Sequence, residues 1–132
     1  MVCIDTTFVA DLIRGNPDAE KKLNDLAKDG DDPFITVITI AELFYGALIS
    51  KNAEKEKAKI KQVLEDFPIA EMDEYGAEKF GDILNALEKA GQKIADRDIM
   101  IAAIALSRGE KIIVTRNRKD FERIPNLKVV SY

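Results

Sequence analysis

Four acidic residues stand in otherwise apolar stretches, and their type and spacing make them the strongest candidates for chemistry. Asp5 follows the apolar run 1–4, Glu42 interrupts the apolar segment 38–44, and Asp96 and Asp98 precede the apolar run 99–106. Burying a lone carboxylate is very costly, so such groups are normally paired, hydrogen-bonded or bound to a metal ion. If these acids converge, they form a divalent-metal site of the kind that hydrolyses phosphodiesters.

Helix capping is the competing explanation for the first two acids. Asp5 could cap a helix that follows it, but Thr6 and Thr7 could cap that helix equally well. This redundancy favours a site role for Asp5. Glu42 stands three residues after Thr39, which matches the S/T-x-x-E capping box. Taken alone, Glu42 therefore fits a capping role as well as it fits a site role.

Asp96 and Asp98 both stand in the predicted first turn of a buried helix. Acidic groups there interact favourably with the helix dipole, by about 0.3–1 kcal/mol, and one acid would be enough for that purpose. Asp96 fits the cap position, which leaves Asp98 as the stronger candidate for a ligand. Asp96 is kept as a supporting metal ligand.

Polar and basic residues follow the apolar run 112–114. Asn117 could orient a water or a ligand, whereas Asp120 could cap a short turn, and both residues also suit an ordinary solvated turn. A local basic patch surrounds them, made of Arg116, Arg118, Lys119 and Arg123. Mg²⁺ and Mn²⁺ prefer oxygen ligands. Chemistry based on these ions suits a chain that contains no histidine.

Composition restricts the function classes further. The 132 residues fit one domain, spanning 1–132, and the net charge of −4 excludes a strongly basic nucleic-acid surface. The single cysteine, Cys3, excludes an internal disulfide, and its apolar surroundings predict inert burial. No stretch is long enough to cross a membrane and no signal peptide is recognisable, so we expect a cytoplasmic protein.

Short apolar runs alternate with helical patterns along the chain. The patterns predict strands at 2–4, 34–37, 67–70, 111–115 and 127–130, and helices at 8–13, 18–27, 39–50, 53–65, 77–87 and 96–108. Alternation of this kind predicts an α/β fold with a parallel sheet covered on both faces. Ligands of such sheets bind beyond the carboxyl ends of the strands. If the first and fourth strands are neighbours, Asp5 and residues 115–117 meet in one crevice.

The helix predicted at 39–50 is apolar on nearly all sides. One stripe suits a core, and Ala41, Tyr45 and Ile49 lie on another side. A helix of this kind is buried on more than one face. We therefore expect one face to pack on the sheet and another to contact a partner subunit.

The ordered set of motifs resembles that of PIN-domain ribonucleases, specifically VapC-type toxins of toxin–antitoxin pairs. The matching segments are 4–6, 38–46, 96–105 and 114–121, which span essentially the whole chain in the family order. The resemblance implies a single PIN-like domain, an α/β/α sandwich with a mostly parallel five-stranded sheet. The sequence departs from the family pattern at Thr7, where relatives often carry Asn, and at Asn117, where some members carry Asp.

The resemblance also implies an Mg²⁺- or Mn²⁺-dependent endoribonuclease that forms a homodimer and pairs with a small VapB-type antitoxin. Asp5, Glu42 and Asp98 would be the core acids, with Asn117 as a fourth polar catalytic residue and Asp96 supporting the metal. Thr6 and Thr115 fall at hydroxyl positions near the site. Arg116, Arg118 and Lys119 would contact RNA.

Other functions remain as alternatives. A housekeeping PIN nuclease of RNA maturation and a non-catalytic PIN-like binding module fit the same residues, because ligands alone do not establish activity. A receiver-like signalling domain is disfavoured, because a single acid, Asp5, follows the first strand. A dinucleotide-binding dehydrogenase is disfavoured because no G-x-G-x-x-G motif follows that strand.

Overall fold

Five strands form one parallel sheet at the centre of the molecule. The computed structural model describes all 132 residues. Its strands are β1 (Val2–Ile4), β2 (Pro33–Thr36), β3 (Ile69–Ala70), β4 (Ile112–Val114) and β5 (Lys128–Val130). Their order in the sheet is β3-β2-β1-β4-β5, and every neighbouring pair is parallel. The predicted sheet is confirmed, and it is entirely parallel.

Seven helices connect the strands and cover both faces of the sheet. They are α1 (Thr6–Ile13), α2 (Pro17–Lys28), α3 (Val37–Leu48), α4 (Ala53–Leu64), α5 (Glu74–Lys89), α6 (Asp96–Ser107) and α7 (Arg118–Phe121). None of them is both long and apolar enough to cross a bilayer.

Strand side chains alternate between two separate cores. Val2 and Ile4 of β1 face the core built with α1 to α4, whereas Cys3 between them faces the core built with α5 to α7. The period of two along a strand produces this division. Cys3 is fully buried, as predicted, and burial raises the pKa of its thiol well above the usual range, with a smaller contribution from the nearby Asp5 charge. The thiol is therefore inert.

Two predicted boundaries were wrong at the junction between β2 and α3. The second strand ends at Thr36, not at residue 37, and α3 begins directly afterwards at Val37. Thr36 caps that helix by accepting a hydrogen bond from the Thr39 N–H at 3.3 Å, so the alternative interpretation of Thr39 and Glu42 as a capping box is wrong. The apolar run continues from strand into helix without a break, and hydrophobicity alone therefore does not mark the turn.

Helix α6 lies between the sheet and α5, and it is apolar on almost every side. Six of its twelve residues are buried, including Ile99, Ile101 and Ile104. A helix buried on this scale depends on packing, and it holds Asp98 half-buried in its first turn.

Truncation of the α6 core should lower stability in proportion to the volume removed. We expect Ile104→Ala to reduce the free energy of unfolding by about 2–5 kcal/mol and Ile104→Val by about 0.5–1.5 kcal/mol. Urea denaturation followed by circular dichroism measures both variants. Equal effects of the two variants would contradict close packing around Ile104.

Candidate active site

The site lies at the carboxyl ends of β1 and β4, which are neighbours in the sheet. Ile4 pairs with Val114, and the Asp5 N–H donates to the Val114 carbonyl at 3.2 Å. Strand β1 has β2 on one side and β4 on the other, so the chain switches direction across the sheet at this point. The crevice expected there from the sequence is therefore present.

Asp5 is 2% exposed and its carboxylate is fully engaged. Its Oδ1 accepts from the Thr7 hydroxyl at 2.7 Å and from the Phe8 N–H at 3.0 Å. Its Oδ2 accepts from the Thr115 hydroxyl at 2.5 Å. Asp5 is therefore the N-cap of α1, which corrects the expectation that a threonine would take this role. Asp5 can cap the helix and also belong to the site, because its two carboxylate oxygens accept from different donors.

Glu42 reaches the same crevice from the second turn of α3. Its Oε1 accepts from the Thr6 hydroxyl at 2.8 Å, and its Oε2 lies 3.7 Å from the guanidinium of Arg97. The Thr6 hydroxyl also lies 3.1 Å from the buried hydroxyl of Thr39. Glu42 is therefore directed towards the end of β1 and takes no part in capping.

Asn117 joins two more acids to the group. Its side-chain amide donates to Asp98 and to Asp120, each at 3.2 Å, and its backbone N–H donates to the Thr115 hydroxyl at 2.8 Å. Thr115 in turn bonds to Asp5. Hydrogen bonds therefore run without interruption from the end of β1 to the start of α6 and α7.

The electrostatics confirm that the acids are close together. Burial, followed by the charges of Glu42, Asp5 and Asp120, raises the pKa of Asp98 to about 6, against a smaller opposing effect of Arg97. Burial and the charge of Glu42 also raise the pKa of Asp5, although its hydrogen bonds oppose the shift. Like charges in a partly buried site disfavour ionisation, and a bound cation would relieve this repulsion.

The donor set fits a hard divalent cation. Every polar group of the crevice that could bind a metal is an oxygen of a carboxylate, amide or hydroxyl, as Mg²⁺ and Mn²⁺ prefer. No three of the acids are already arranged as a metal-binding group. Asp5, Glu42 and Asp98 each instead accept a hydrogen bond from a neighbouring side chain. The crevice therefore offers the correct chemistry with its ligands held by neighbouring side chains.

The structure brings together most of the predicted site residues: Asp5, Thr6, Glu42, Asp98, Thr115 and Asn117. Asp96 stays apart from them. It is exposed, and it does not cap α6, because Ala95 occupies the N-cap without a side-chain hydrogen bond. The expected capping role of Asp96 is wrong because the helix begins one residue earlier than a capping aspartate requires.

The predicted basic residues take different positions. Arg116 forms an ion pair with Asp11 at 2.5 Å, at the edge of the crevice. Arg118 pairs with Glu122 on the same short helix. Lys119 is exposed and has no acidic partner within 4.0 Å.

Comparison with known proteins agrees with this geometry. The model of the PIN domain matches residues 2–127. Ribonuclease VapC2 of Haemophilus influenzae is 33% identical over 129 residues, which cover 98% of this chain and 96% of that protein. The chain belongs to the PIN-domain family, within its VapC group. The tRNA(fMet)-specific endonuclease VapC of Salmonella typhimurium is 35% identical over 95 residues, covering 72% of this chain and 71% of that protein.

Solved structures of VapC-group proteins share the whole fold. VapBC2 from Rickettsia felis, bound to a DNA fragment from its promoter, superimposes with a TM-score of 0.91 at 29% identity, covering 100% of this chain and 99% of that one. DNA-bound VapBC from Salmonella typhimurium superimposes with a TM-score of 0.88 at 29% identity, covering 98% of this chain and 96% of that one. The PIN-domain architecture expected from the sequence is confirmed.

Two acids of this PIN domain have contacts that the sequence did not predict, one within the site and one beside it. Asp120 was interpreted as a turn cap, yet it shares the Asn117 amide with Asp98. Its spacing of three residues from Asn117, on one face of a short helix, was an available signal. Asp11 was overlooked, although it is a charged residue in the apolar segment 8–13. It is 2% exposed and bonded to three side chains.

Neutralising one acid of the crevice should stabilise the metal-free protein. Because the pKa of Asp98 is raised, its ionised form opposes folding, and this penalty grows from about pH 4 to about pH 6 and is constant above. We expect Asp98→Asn to raise the free energy of unfolding by about 1 kcal/mol at pH 7.5, allowing for solvent screening of a partly exposed group.

Thermal denaturation in EDTA at pH 7.5 and pH 5 measures this effect. The gain should be smaller at pH 5, where much of Asp98 is already protonated in the folded protein. Asp66→Asn, at an exposed aspartate after α4, serves as the matched control and should change stability little. Destabilisation by Asp98→Asn at pH 7.5 would contradict mutual repulsion in the crevice.

Proposed function

We propose that this protein is an Mg²⁺- or Mn²⁺-dependent endoribonuclease and the toxin of a type II toxin–antitoxin pair. The observation that carries the proposal is the convergence of Asp5, Glu42 and Asp98 at the ends of β1 and β4, where burial and then mutual repulsion raise the pKa of Asp98 to about 6. The ribonuclease names of its VapC relatives support RNA as the substrate. A single buried cysteine and the absence of disulfides are consistent with a cytoplasmic protein.

We assign the metal ligands to the acids that converge. Asp5, Glu42 and Asp98 hold the ion, and Asp120 and Asn117 support it from α7. Asp96, which is exposed and apart from the other acids, has at most an indirect effect through its charge. A bound divalent cation supplies an activated water and stabilises negative charge on a phosphoryl group.

The chain's own residues position this chemistry. Thr115 and Thr7 fix the Asp5 carboxylate, and Thr6 fixes that of Glu42. Asn117 holds Asp98 through its side-chain NH2 group, and its amide oxygen can accept a hydrogen bond from water. Fixed ligands lower the cost of organising the reacting groups when substrate arrives.

Replacing Asp5 should abolish cleavage without unfolding the protein. Asn caps helices about as well as Asp, so Asp5→Asn preserves the start of α1 while removing the charge. We expect cleavage of a single-stranded RNA in Mg²⁺ or Mn²⁺ to fall at least about 100-fold, since even indirect metal partners contribute 10–100-fold. EDTA should abolish cleavage by the wild type.

Asp66→Asn provides the matched control and should cleave at the wild-type rate. Mn²⁺ gives an independent readout, because a ligand at 100 times its dissociation constant stabilises a protein by about 2.7 kcal/mol. The wild type should gain thermal stability in Mn²⁺, and Asp5→Asn should gain much less. Full metal-dependent cleavage by Asp5→Asn would refute the assignment.

We also propose that the protein forms a homodimer through one face of α3. Large apolar side chains there are exposed in the single chain: Val37, Tyr45, Leu48 and Ile49, with fractions from 37% to 69%. Contiguous exposed apolar surface marks an interaction site. The position of Tyr45 and Ile49 on the outer face of α3 agrees with the partner face expected from the sequence.

A matched pair of tyrosine variants tests the dimer. Tyr45→Asp places a charge on the exposed face of α3 and should shift the protein to monomer in light scattering coupled to size exclusion. Tyr75→Asp makes the same change at a 72% exposed tyrosine on α5 and should leave the dimer intact. A monomeric wild type, or equal behaviour of the two variants, would contradict this interface.

An antitoxin partner follows from the complexes of the relatives. VapBC-1 from nontypeable Haemophilus influenzae, at a TM-score of 0.86 and 29% identity, is one such solved structure. In this chain an open groove of about 280 Å³ lies between α1, α3 and α4 and extends to Glu42. Its walls include Ala10, Ile13, Leu43 and Ile60. We propose that an antitoxin segment occupies this apolar groove and blocks the acids.

A further inference from the structure

A second buried carboxylate, Asp11, lies outside the acidic crevice and has no part in the mechanism above. It is on α1 and is only 2% exposed. Its Oδ1 accepts from Arg14 at 3.1 Å, and its Oδ2 accepts from the Tyr132 hydroxyl at 2.5 Å. The Arg116 guanidinium forms an ion pair with the same Oδ2 at 2.5 Å. Burial opposes ionisation of Asp11, but the Tyr132 and Arg14 hydrogen bonds and the two arginine charges outweigh it and lower the pKa.

The two arginines are fixed at their inner edge and open at their outer edge. The side chains of Arg14 and Arg116 are 68% and 54% exposed, although both contact the same buried anion. Each guanidinium has five N–H donors, so most donors remain free. Asp11 therefore balances one of the two positive charges of this group of three side chains.

Aromatic packing restricts Arg116 further. Its guanidinium carbon lies 5.6 Å from the centroid of the Tyr132 ring, within the range of a cation–π contact. The Tyr132 ring meets Phe8 edge to face, with centroids 4.8 Å apart. Phe8 is fully buried. Tyr132 therefore connects the arginine to the core of the domain.

Both arginines border the acidic crevice. Arg116 stands between Thr115 and Asn117 in the chain, and its backbone N–H donates to the Thr7 hydroxyl that also holds Asp5. Arg14 lines the groove that reaches Glu42 and Thr6. A fixed guanidinium loses little freedom when it binds a phosphate in its planar fork.

We propose that Arg14 and Arg116, held by Asp11 and Tyr132, form a binding site for the phosphodiester backbone of single-stranded RNA beside the cleaved bond. The inference rests on the proposed ribonuclease function and adds a substrate subsite to it. Arg14 and Arg116 contact the RNA. Asp11 and Tyr132 are positioning residues that do not touch it.

The direction in which RNA affinity changes when Asp11 is removed distinguishes a positioning role from an effect of net charge. Asp11 is an anion, so its removal should strengthen RNA binding if net charge alone controlled affinity. If Asp11 positions the arginines, its removal should weaken binding despite the more favourable charge. The two explanations therefore predict opposite results for Asp11→Asn.

Equilibrium binding without divalent metal provides the test. The probe is a fluorescein-labelled single-stranded RNA of twelve nucleotides in EDTA, with the dissociation constant measured by anisotropy over a series of NaCl concentrations. Each phosphate contact to a single strand contributes about 0.7 to the slope of log affinity against log salt. Arg14→Gln and Arg116→Gln should each reduce the slope by about that amount.

Arg108→Gln is the matched control for the arginine variants. Arg108 is exposed at the end of α6 and borders a cavity shared with Met1 and Glu110, at the opposite end of the strands. Its replacement removes the same charge and should leave the slope unchanged. An equal loss of slope in all three variants would indicate a diffuse charge effect and overturn the site.

The positioning residues are tested in the same assay. Asp11→Asn should weaken binding about 5-fold, the effect of one lost hydrogen bond. Tyr132→Phe should also weaken RNA binding, and it keeps the ring packed on Phe8. If thermal denaturation shows that Asp11→Asn is unfolded, Tyr132→Phe alone tests the positioning role. Binding at wild-type strength or tighter by the folded variants would overturn the positioning role.

The outcomes distinguish this site from the activity itself. Metal-dependent cleavage by the wild type, combined with unchanged salt slopes in both arginine variants, would overturn the proposed subsite and support the proposed ribonuclease activity. Arginine-dependent RNA binding without metal-dependent cleavage would support the proposed subsite and overturn the proposed ribonuclease activity. Absence of RNA binding by the wild type would overturn the subsite.

Discussion

Repulsion between carboxylates is the constraint around which the site is organised. Asp5, Glu42 and Asp98 come from three distant parts of the chain, and burial together with their mutual repulsion raises the pKa of Asp98 to about 6. In isolation this arrangement opposes folding. The domain tolerates it because hydroxyl and amide donors bond to the acids and because two separate apolar cores stabilise the surrounding elements.

The parallel sheet explains why these residues meet. All five strands end on the same side, and the chain changes direction across the sheet between β1 and β4. Polar residues that follow those two strands therefore lie side by side, and Thr115 donates to Asp5 across the gap. The acidic residues therefore lie where the backbone leaves the sheet, next to side chains that can donate hydrogen bonds to them.

Several side chains serve structure and site together. Asp5 caps α1 with one oxygen and accepts from Thr115 with the other. Asn117 begins α7 while it joins Asp98 to Asp120. Such double use explains why capping and site roles were hard to separate from the sequence. For Asp5 both roles are present, whereas Glu42 has no capping role.

The sequence by itself determined the five strands, six of the seven helices, the parallel sheet and the family motifs, because hydrophobic period and the spacing of polar residues are local properties. It also indicated Asp5, Glu42 and Asp98, since a charge inside an apolar run needs an explanation. Tertiary structure alone decided that Thr36 caps α3, that Asp96 remains apart, and that Asp120 and Asp11 are engaged. These outcomes depend on which distant donors reach each carboxylate. Asp11 meets Tyr132 across 121 positions of the chain, a contact that no local pattern encodes.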